Sequence, residues 1–239
     1  MCSVRSNKLT MQRCLKRRQF ADWTLDQLKA DPDFGSKIIF SDEAHCVNKQ
    51  NCRIWDAENP RHIQEVEMKP LKCTVWCAFW PRGVIGPYFF ENEDGQRVNV
   101  NAERYQHMIR EYFWPRLRRV RTSGLLFQQD GASSHTSPPT IQVLNEKFDK
   151  RVISKNGAVN WRPRSCDLTL LDHFLWGFIK GKVYANNPST IEDLKANIRH
   201  EITSVPVEMC QNVIKNWADR MVSLKPSRGG HLDDIIFHY

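Results

Sequence analysis

Three aspartates stand where their carboxylates could meet at one site. Asp42 follows the apolar run KIIFS and Asp130 follows LLFQQ, so each lies at the end of a predicted buried strand. Asp172 lies within the helical pattern of SCDLTLLDHFLWG. Carboxylates from two strand ends and one helix can converge on one point, and hard divalent cations such as Mg2+ prefer oxygen ligands. The three residues therefore predict metal-assisted phosphoryl transfer on nucleic acid.

Each aspartate also has a purely structural interpretation. Either strand-borne aspartate alone is equally typical of a turn or helix cap after a strand. Asp172 would share a helical face with Leu175 and Trp176, where an uncompensated carboxylate is costly. A metal ion would compensate this carboxylate, and so would a Lys or Arg partner.

Three further polar residues flank the aspartates. Asp167 precedes the third aspartate and is predicted to cap its helix rather than to bind metal. Glu43 alternates to the opposite face of its strand from Asp42, which predicts a supporting or structural role. His135, in the predicted loop GASSHTS, could contact DNA or the scissile phosphate, and is equally typical of an ordinary polar loop.

The chain is basic, with a formal net charge of +8 and a pI of about 9.1, which favours a polyanionic partner. Runs of positive charge are also typical of solvated surfaces. A protein that binds the DNA phosphate backbone at this site would nevertheless need basic residues near the second and third aspartates. The candidate DNA contacts there are Arg116, Arg118, Arg119, Lys155, Arg162 and Arg164. Trp161 is the best candidate for stacking on an unpaired base.

The remaining pattern predicts one α/β domain. A buried strand over KIIFSDE precedes three segments rich in β-branched and aromatic residues, CRIWD, KCTVWCAFW and GVIGPYFFE, which predict an antiparallel meander beside it. A helix capped by Asn101, the strand LLFQQD, the helix PPTIQVLNEKF and the short strand RVIS follow. From Asp167 onward the pattern predicts three helices, the first of them over DLTLLDHFLWGFIKGKVY. The prediction is a mixed sheet flanked by helices, with a helical C-terminal portion.

Composition excludes several other classes of protein. The 239 residues, 41% of them hydrophobic, suffice for one sizeable core. No run of about 18 apolar residues predicts a membrane span. The eight cysteines are scattered, without zinc-ligand spacing or the density of a disulfide scaffold, and predict reduced thiols in a cytosolic or nuclear protein.

Several motifs resemble the catalytic domain of mariner-superfamily transposases, transposable-element enzymes with an RNase H-like fold and an Asp-Asp-Asp triad. The resemblance covers nearly the whole chain. Its motifs are FSDEAH, VNKQNCRIW with ENPR, TVWCAFW, GVIGPYFFEN, NAERY, FQQDGASSHTS, SCDLTLLDHFLWG, KVYANNPSTIEDLKANI and SRGGHLDDIIFH.

The resemblance implies that Asp42, Asp130 and Asp172 are the metal-binding triad. It further implies two Mg2+ ions about 4 Å apart, with Mn2+ as a substitute, that support DNA strand cleavage and then strand transfer in cut-and-paste transposition. A nuclear homodimer acting on DNA is expected. Residues 1–35 are then a basic segment and helix, the remnant of a linker to a helix-turn-helix region that this copy lacks, and residues 36–239 are the catalytic domain.

The sequence departs from the family pattern at points that keep a second hypothesis open. Cys166 and Leu170 replace the two prolines that are usual in the third motif, and the segment between Glu43 and Val47 is short. A catalytically inactive, transposon-derived DNA-binding protein would fit these departures. A general RNase H-type nuclease is a third, weaker interpretation.

Overall fold

The computed structural model describes residues 2–47, 72–161, 165–224 and 226–227. Over these residues the chain forms a six-stranded sheet in the order β3-β2-β1-β4-β5-β6. The strands are β1 (Ile38–Val47), β2 (Lys72–Trp80), β3 (Gly83–Phe89), β4 (Leu126–Gln128), β5 (Val152–Ser154) and β6 (Val159–Asn160). β1, β2 and β3 are antiparallel, whereas β4, β5 and β6 continue from β1 in parallel. The predicted mixed sheet is confirmed.

β1 lies in the middle of the sheet because its sequence suits burial on both faces. Ile38, Ile39 and Phe40 have no exposed surface, as expected for a continuous apolar run between two covered faces. Antiparallel β2 and β3 confirm the predicted meander for KCTVWCAFW and GVIGPYFFE. The predicted strand CRIWD lies outside the described residues.

Helices cover both faces of the sheet. They are α1 (Cys2–Ala30), α2 (Ala102–Met108), α3 (Trp114–Arg116), α4 (Ser133–Thr136), α5 (Pro138–Phe148), α6 (Trp176–Val183), α7 (Ile191–Thr203) and α8 (Val207–Ser223). π-helical turns at Ile109–Phe113 and Leu171–Leu175 precede α3 and α6. The Asn101 side chain accepts a hydrogen bond from the Arg104 backbone N–H at 2.8 Å, which confirms the predicted N-cap. Within the described part of the chain, no helix combines the length and apolarity needed to cross a membrane.

Alternate residues of β1 enter two separate cores. Phe40 packs with α6, α7 and α8 on one face, where its ring meets Trp217 edge-on at 5.2 Å. Ile39 packs with α2 and α5 on the other face. Phe20 of α1 is buried in the first core, with its ring 4.8 Å from that of Trp161. α1 thus covers the sheet, and the domain boundary at residue 35 stays a prediction.

Candidate active site

The pairing of two parallel strands places Asp42 beside Asp130. β1 and β4 pair from Ile38 with Leu126 to Phe40 with Gln128, an offset of 88 residues (126 − 38). Asp42 and Asp130 have the same offset (130 − 42), and each lies two residues beyond the last pair. Residues two apart on a strand share a face. The alignment therefore places Asp130, just after the end of β4, beside Asp42. The prediction that Asp42 ends its strand is wrong, because antiparallel pairing with β2 continues β1 to Val47 and leaves Asp42 in the middle of the strand.

A tryptophan links the first aspartate to the segment that carries the third. The Asp42 side chain is buried, with the residue 8% exposed, and its Oδ2 accepts a hydrogen bond from Trp176 Nε1 at 2.8 Å. Trp176 begins α6, one helical turn after Asp172, so this bond holds the π-helical turn against β1. The Asp172 side chain is exposed, and it is close enough to Asp42 for the two carboxyl groups to interact.

The three carboxylates are close enough for their charges to interact. Burial raises the pKa of Asp42 well above its usual range, and the charges of Asp172, Glu43 and Asp130 raise it further. Burial also raises the pKa of Asp172; its interaction with Asp42 opposes that rise, and the charge of Asp130 adds to it. Negative charge is thus concentrated at one point, as in sites that bind cations.

His135 lies between the second aspartate and Glu43. Its Nδ1 is 2.5 Å from Asp130 Oδ1, and its Nε2 is 3.2 Å from Glu43 Oε1. Burial lowers the pKa of His135, but the charge of Glu43 and the contacts with both carboxylates outweigh this effect and raise it to about 10. The ring is therefore an imidazolium at neutral pH, and it holds two carboxylates in fixed positions.

The same histidine keeps Asp130 ionised. Burial pushes the pKa of Asp130 upward, but the hydrogen bond and charge of His135 and the Ala132 backbone N–H bring it below its usual value. The Tyr105 ring lies 4.2 Å from the His135 ring at a tilt of 33°, and its hydroxyl group donates to Gln129 Oε1 at 3.0 Å. Gln129 in turn donates to the His135 carbonyl at 2.7 Å. These contacts make the loop after β4 a rigid support for Asp130.

Solved structures of a mariner transposase have a similar arrangement of strands and helices. The model matches the Mos1 transposase paired-end complex with left transposon end at a TM-score of 0.76, with 18% identity over 93% of this chain. It matches the catalytic domain of Mos1 mariner transposase alone at a TM-score of 0.69, also with 18% identity over 93% of this chain. The chain has the fold of the mariner transposase catalytic domain. The predicted RNase H-like fold class is confirmed.

The similarity in fold extends over a catalytic domain rather than a whole transposase. This chain spans 64% of the Mos1 chain in the paired-end complex but 96% of the isolated Mos1 catalytic domain. A third match, to the Mos1 catalytic domain with Raltegravir and Mn, has a TM-score of 0.70 at 18% identity, and covers 93% of this chain and 97% of that one. No protein-family model and no curated protein sequence matches the chain.

The oxygen atoms of these carboxylates fit a divalent cation. Oδ2 of Asp42 is hydrogen-bonded to Trp176, and Oδ1 of Asp130 is hydrogen-bonded to His135. Each of these two carboxylates therefore retains its second oxygen for a ligand. Within the described ranges, no three His, Cys, Asp or Glu side chains already form a group arranged to hold a metal ion. Mg2+ is commonly bound by one or two carboxylates with water and substrate phosphates, and not by an all-protein cage. The chemistry of the oxygens therefore suits Mg2+ or Mn2+.

The third motif is held in place by α1, which the sequence did not predict. Arg17 Nη1 and Nη2 donate to Asp167 Oδ1 and Oδ2 at 2.7 and 2.5 Å, and both side chains are almost fully buried. Arg220 Nε of α8 donates to the Asp167 carbonyl at 3.0 Å. Asp167 was predicted to cap a helix; instead it anchors the segment that leads to Asp172. The predicted single helix is correspondingly a 3-10 turn at Cys166–Leu168, a π-helical turn and α6.

Two predicted DNA contacts are buried and need correction. Trp161 is 2% exposed in the core beside Phe20, so its ring has no free face for a base. His135 is 2% exposed, and both ring nitrogens face carboxylates, so it positions Asp130 and is not available to DNA. Neither burial is visible in the local sequence, because both residues are covered by segments distant along the chain.

The remaining predicted residues are placed as follows. Glu43 lies on the opposite face of β1 from Asp42, as predicted, where it contacts His135. The exposed basic residues, whose contact with DNA stays a prediction, are Arg116, Arg118, Arg119 and Lys155. Arg162 and Arg164 lie outside the described residues. Trp176 was missed as a site residue, although its spacing of four from Asp172 was a signal for a shared helical face.

Proposed function

We propose that this chain is the catalytic domain of a mariner-superfamily transposase, which cleaves and joins DNA strands with the help of a divalent cation. The observation that supports this function best is the gathering of Asp42, Asp130 and Asp172. They come from the middle of β1, the residues just after the adjacent parallel strand β4, and a π-helical turn, and their charges interact. Purely structural aspartates have no reason to be concentrated in this way.

Each residue has a defined task in this proposal. Asp42, Asp130 and Asp172 would hold the cation, which when bound polarises the phosphodiester and helps to activate water or a 3′-hydroxyl group. Trp176 orients Asp42 by donating to one of its oxygens, and leaves the other oxygen for binding. The His135 imidazolium keeps Asp130 ionised and correctly turned. Such fixed partners reduce the reorganisation that catalysis would otherwise require.

Related structures support DNA as substrate and a divalent cation as cofactor. Structures of Mos1 are described as a paired-end complex with Mn, a paired-end complex with Mg and a strand transfer complex. The shared fold and the three carboxylates are the basis for extending these properties to this chain.

Strand cleavage tests the proposal directly. The full chain is incubated with supercoiled plasmid at low salt with Mg2+, Mn2+ or EDTA, and nicked and linear products are measured. Wild type should nick DNA only with a divalent cation, and Asp130→Asn should lose this activity, because the amide cannot supply a charged ligand. Asp219→Asn, on an exposed part of α8, should behave like wild type.

The other hypotheses give different results in the same assay. Salt-sensitive DNA binding without cation-dependent cleavage would support the inactive DNA-binding protein. Cleavage confined to the RNA strand of an RNA–DNA hybrid would indicate a general RNase H-type nuclease. Equal cleavage by wild type and Asp130→Asn would refute the assignment of the aspartates, and lack of DNA binding would exclude both DNA functions.

The hydrogen bond from Trp176 to Asp42 gives a further prediction. Trp176→Phe keeps an aromatic ring in the core but removes the N–H donor, so Asp42 loses its fixed orientation. Loss of such a supporting partner typically costs about 10–100-fold in metal affinity or activity. The Mn2+ concentration needed for half-maximal nicking should rise by this factor. Trp114→Phe, at a partly buried position packed against the core that contains Ile39, should leave it unchanged. Equal effects of the two variants would contradict the role of Trp176.

A further inference from the structure

Two cysteines are paired across β1, the strand that carries Asp42, and its neighbour β2. Cys46 of β1 and Cys73 of β2 are directly paired residues of the antiparallel ladder. Both are free thiols, 2% and 3% exposed. Paired residues in such a ladder have Cα atoms about 4.5 or 5.5 Å apart. Disulfides span about 4.4–6.8 Å between Cα atoms, so the backbone already holds the two residues at a bridging distance.

The two side chains lie on the same face of the sheet, and both belong to the same buried cluster. Interaction with Cys73 lowers the pKa of Cys46 despite its burial, and the charge of Lys180 acts in the same direction. Interaction with Cys46, together with burial, raises the pKa of Cys73. A thiolate is the reactive form in disulfide exchange, so Cys46 is the member of the pair whose pKa shift favours reaction.

A cavity adjoins the pair at Cys73. Cys73 lines a cavity of about 570 Å³ whose wall also includes Lys195 and Glu91. The Lys195 ammonium group is 2.6 Å from Glu91 Oε2 and contributes positive charge near the Cys73 thiol. A space of this volume is within the range that accepts small ligands.

We propose that Cys46 and Cys73 are a dithiol–disulfide pair that is oxidised by a low-molecular-weight disulfide. One thiolate of the pair attacks the small disulfide, breaks its S–S bond and forms a mixed disulfide while one small thiol leaves. The second cysteine then attacks the protein sulfur of the mixed disulfide and releases the second small thiol. The protein loses two electrons and two protons, and the small disulfide gains both.

The bridge would constrain the strand that carries the first aspartate. It would close a loop of 26 intervening residues (73 − 46 − 1) and join β1 to β2 four residues beyond Asp42. A link across a loop of this length restricts the unfolded chain, and the corresponding rise in Tm is roughly 5–10 °C for a protein of this size. This inference does not depend on the proposed DNA chemistry.

Peptide mapping of the full chain tests the inference. The protein is equilibrated in mixtures of oxidised and reduced glutathione, quenched with acid, alkylated and digested with trypsin. Cys46 falls in the peptide IIFSDEAHCVNK, and Cys73 shares CTVWCAFWPR with Cys77, so fragmentation of the linked pair identifies the bonded sulfur. We expect a Cys46–Cys73 linkage in the oxidised native protein, with the rise in Tm given above.

Matched variants and a denatured control make the result decisive. Cys46→Ser and Cys73→Ser should both lose the linkage and the rise in Tm, whereas Cys14→Ser and Cys210→Ser should keep them. Should a serine variant fail to fold, the map of the wild-type protein still decides the question. The proposal is overturned if the native protein forms no linkage under conditions that oxidise the urea-unfolded chain, or if Cys46 or Cys73 bonds mainly to Cys77, Cys52 or another cysteine.

Discussion

Replacing Arg17 with alanine should lower the free energy of unfolding by about 3–5 kcal/mol, because it leaves a buried carboxylate without its guanidinium partner. Arg17 binds both oxygens of Asp167, and the two side chains are 6% and 2% exposed. Water cannot easily replace the lost donors at this depth. The measurement is urea unfolding of the wild-type and variant chains at the same ionic strength.

An exposed ion pair within α1, the helix that carries Arg17, provides the control. Lys29 pairs with Asp26 at 2.9 Å, but their side chains are 73% and 70% exposed, so Lys29→Ala should cost less than about 1 kcal/mol. The double replacement of Arg17 by Met and Asp167 by Leu should recover much of the lost stability, since it removes both charges together. If Arg17→Ala and Lys29→Ala cost the same, the buried pair does not anchor the third motif.

Asp42→Asn should separate stability from activity. Cation-dependent nicking should fall by at least about 1,000-fold, because a charged ligand is lost where several kcal/mol of transition-state stabilisation originate. In EDTA the same variant should be more stable than wild type by about 1–2 kcal/mol, since it removes one negative charge from a crowded, buried site. The amide oxygen can still accept the hydrogen bond from Trp176.

The difference in stability between Asp42→Asn and wild type should depend on pH, and its direction follows from the raised pKa of Asp42. The pKa of Asp42 is higher in the folded protein than in the unfolded chain, so the folded state binds this proton more tightly. Protonation therefore favours folding, and ionisation becomes costly as pH rises above the usual carboxylate pKa of about 4. The stability gap between Asp42→Asn and wild type should be widest at neutral pH and close as pH falls toward about 4. A gap that widens on acidification would contradict this account.

Local sequence patterns predicted the strands and the neighbourhood of two aspartates. The apolar run before Asp42 and the run before Asp130 became β1 and β4, and their parallel pairing makes the two residues neighbours. Asn101 caps its helix as predicted. These features depend on periodicity and on side-chain hydrogen bonds within a few residues, which a sequence displays directly.

The contacts that complete the site join residues that are far apart in the chain. Trp176 reaches Asp42 across 134 positions, and Arg17 reaches Asp167 across 150. The same long-range packing buries Trp161 under α1 and places His135 between two carboxylates. The spacing of apolar residues along the chain indicates that a residue is buried, but it does not show which distant segment covers that residue.

The sequence by itself therefore determined the class of fold, the positions of β1 to β5 along the chain and the three aspartates worth testing. Only the tertiary structure decided which side chains orient those aspartates, which predicted DNA contacts are in fact core residues, and that Cys46 and Cys73 are paired. The physical reason is that secondary structure depends on neighbours along the chain, whereas burial, charge coupling and side-chain orientation depend on neighbours in space.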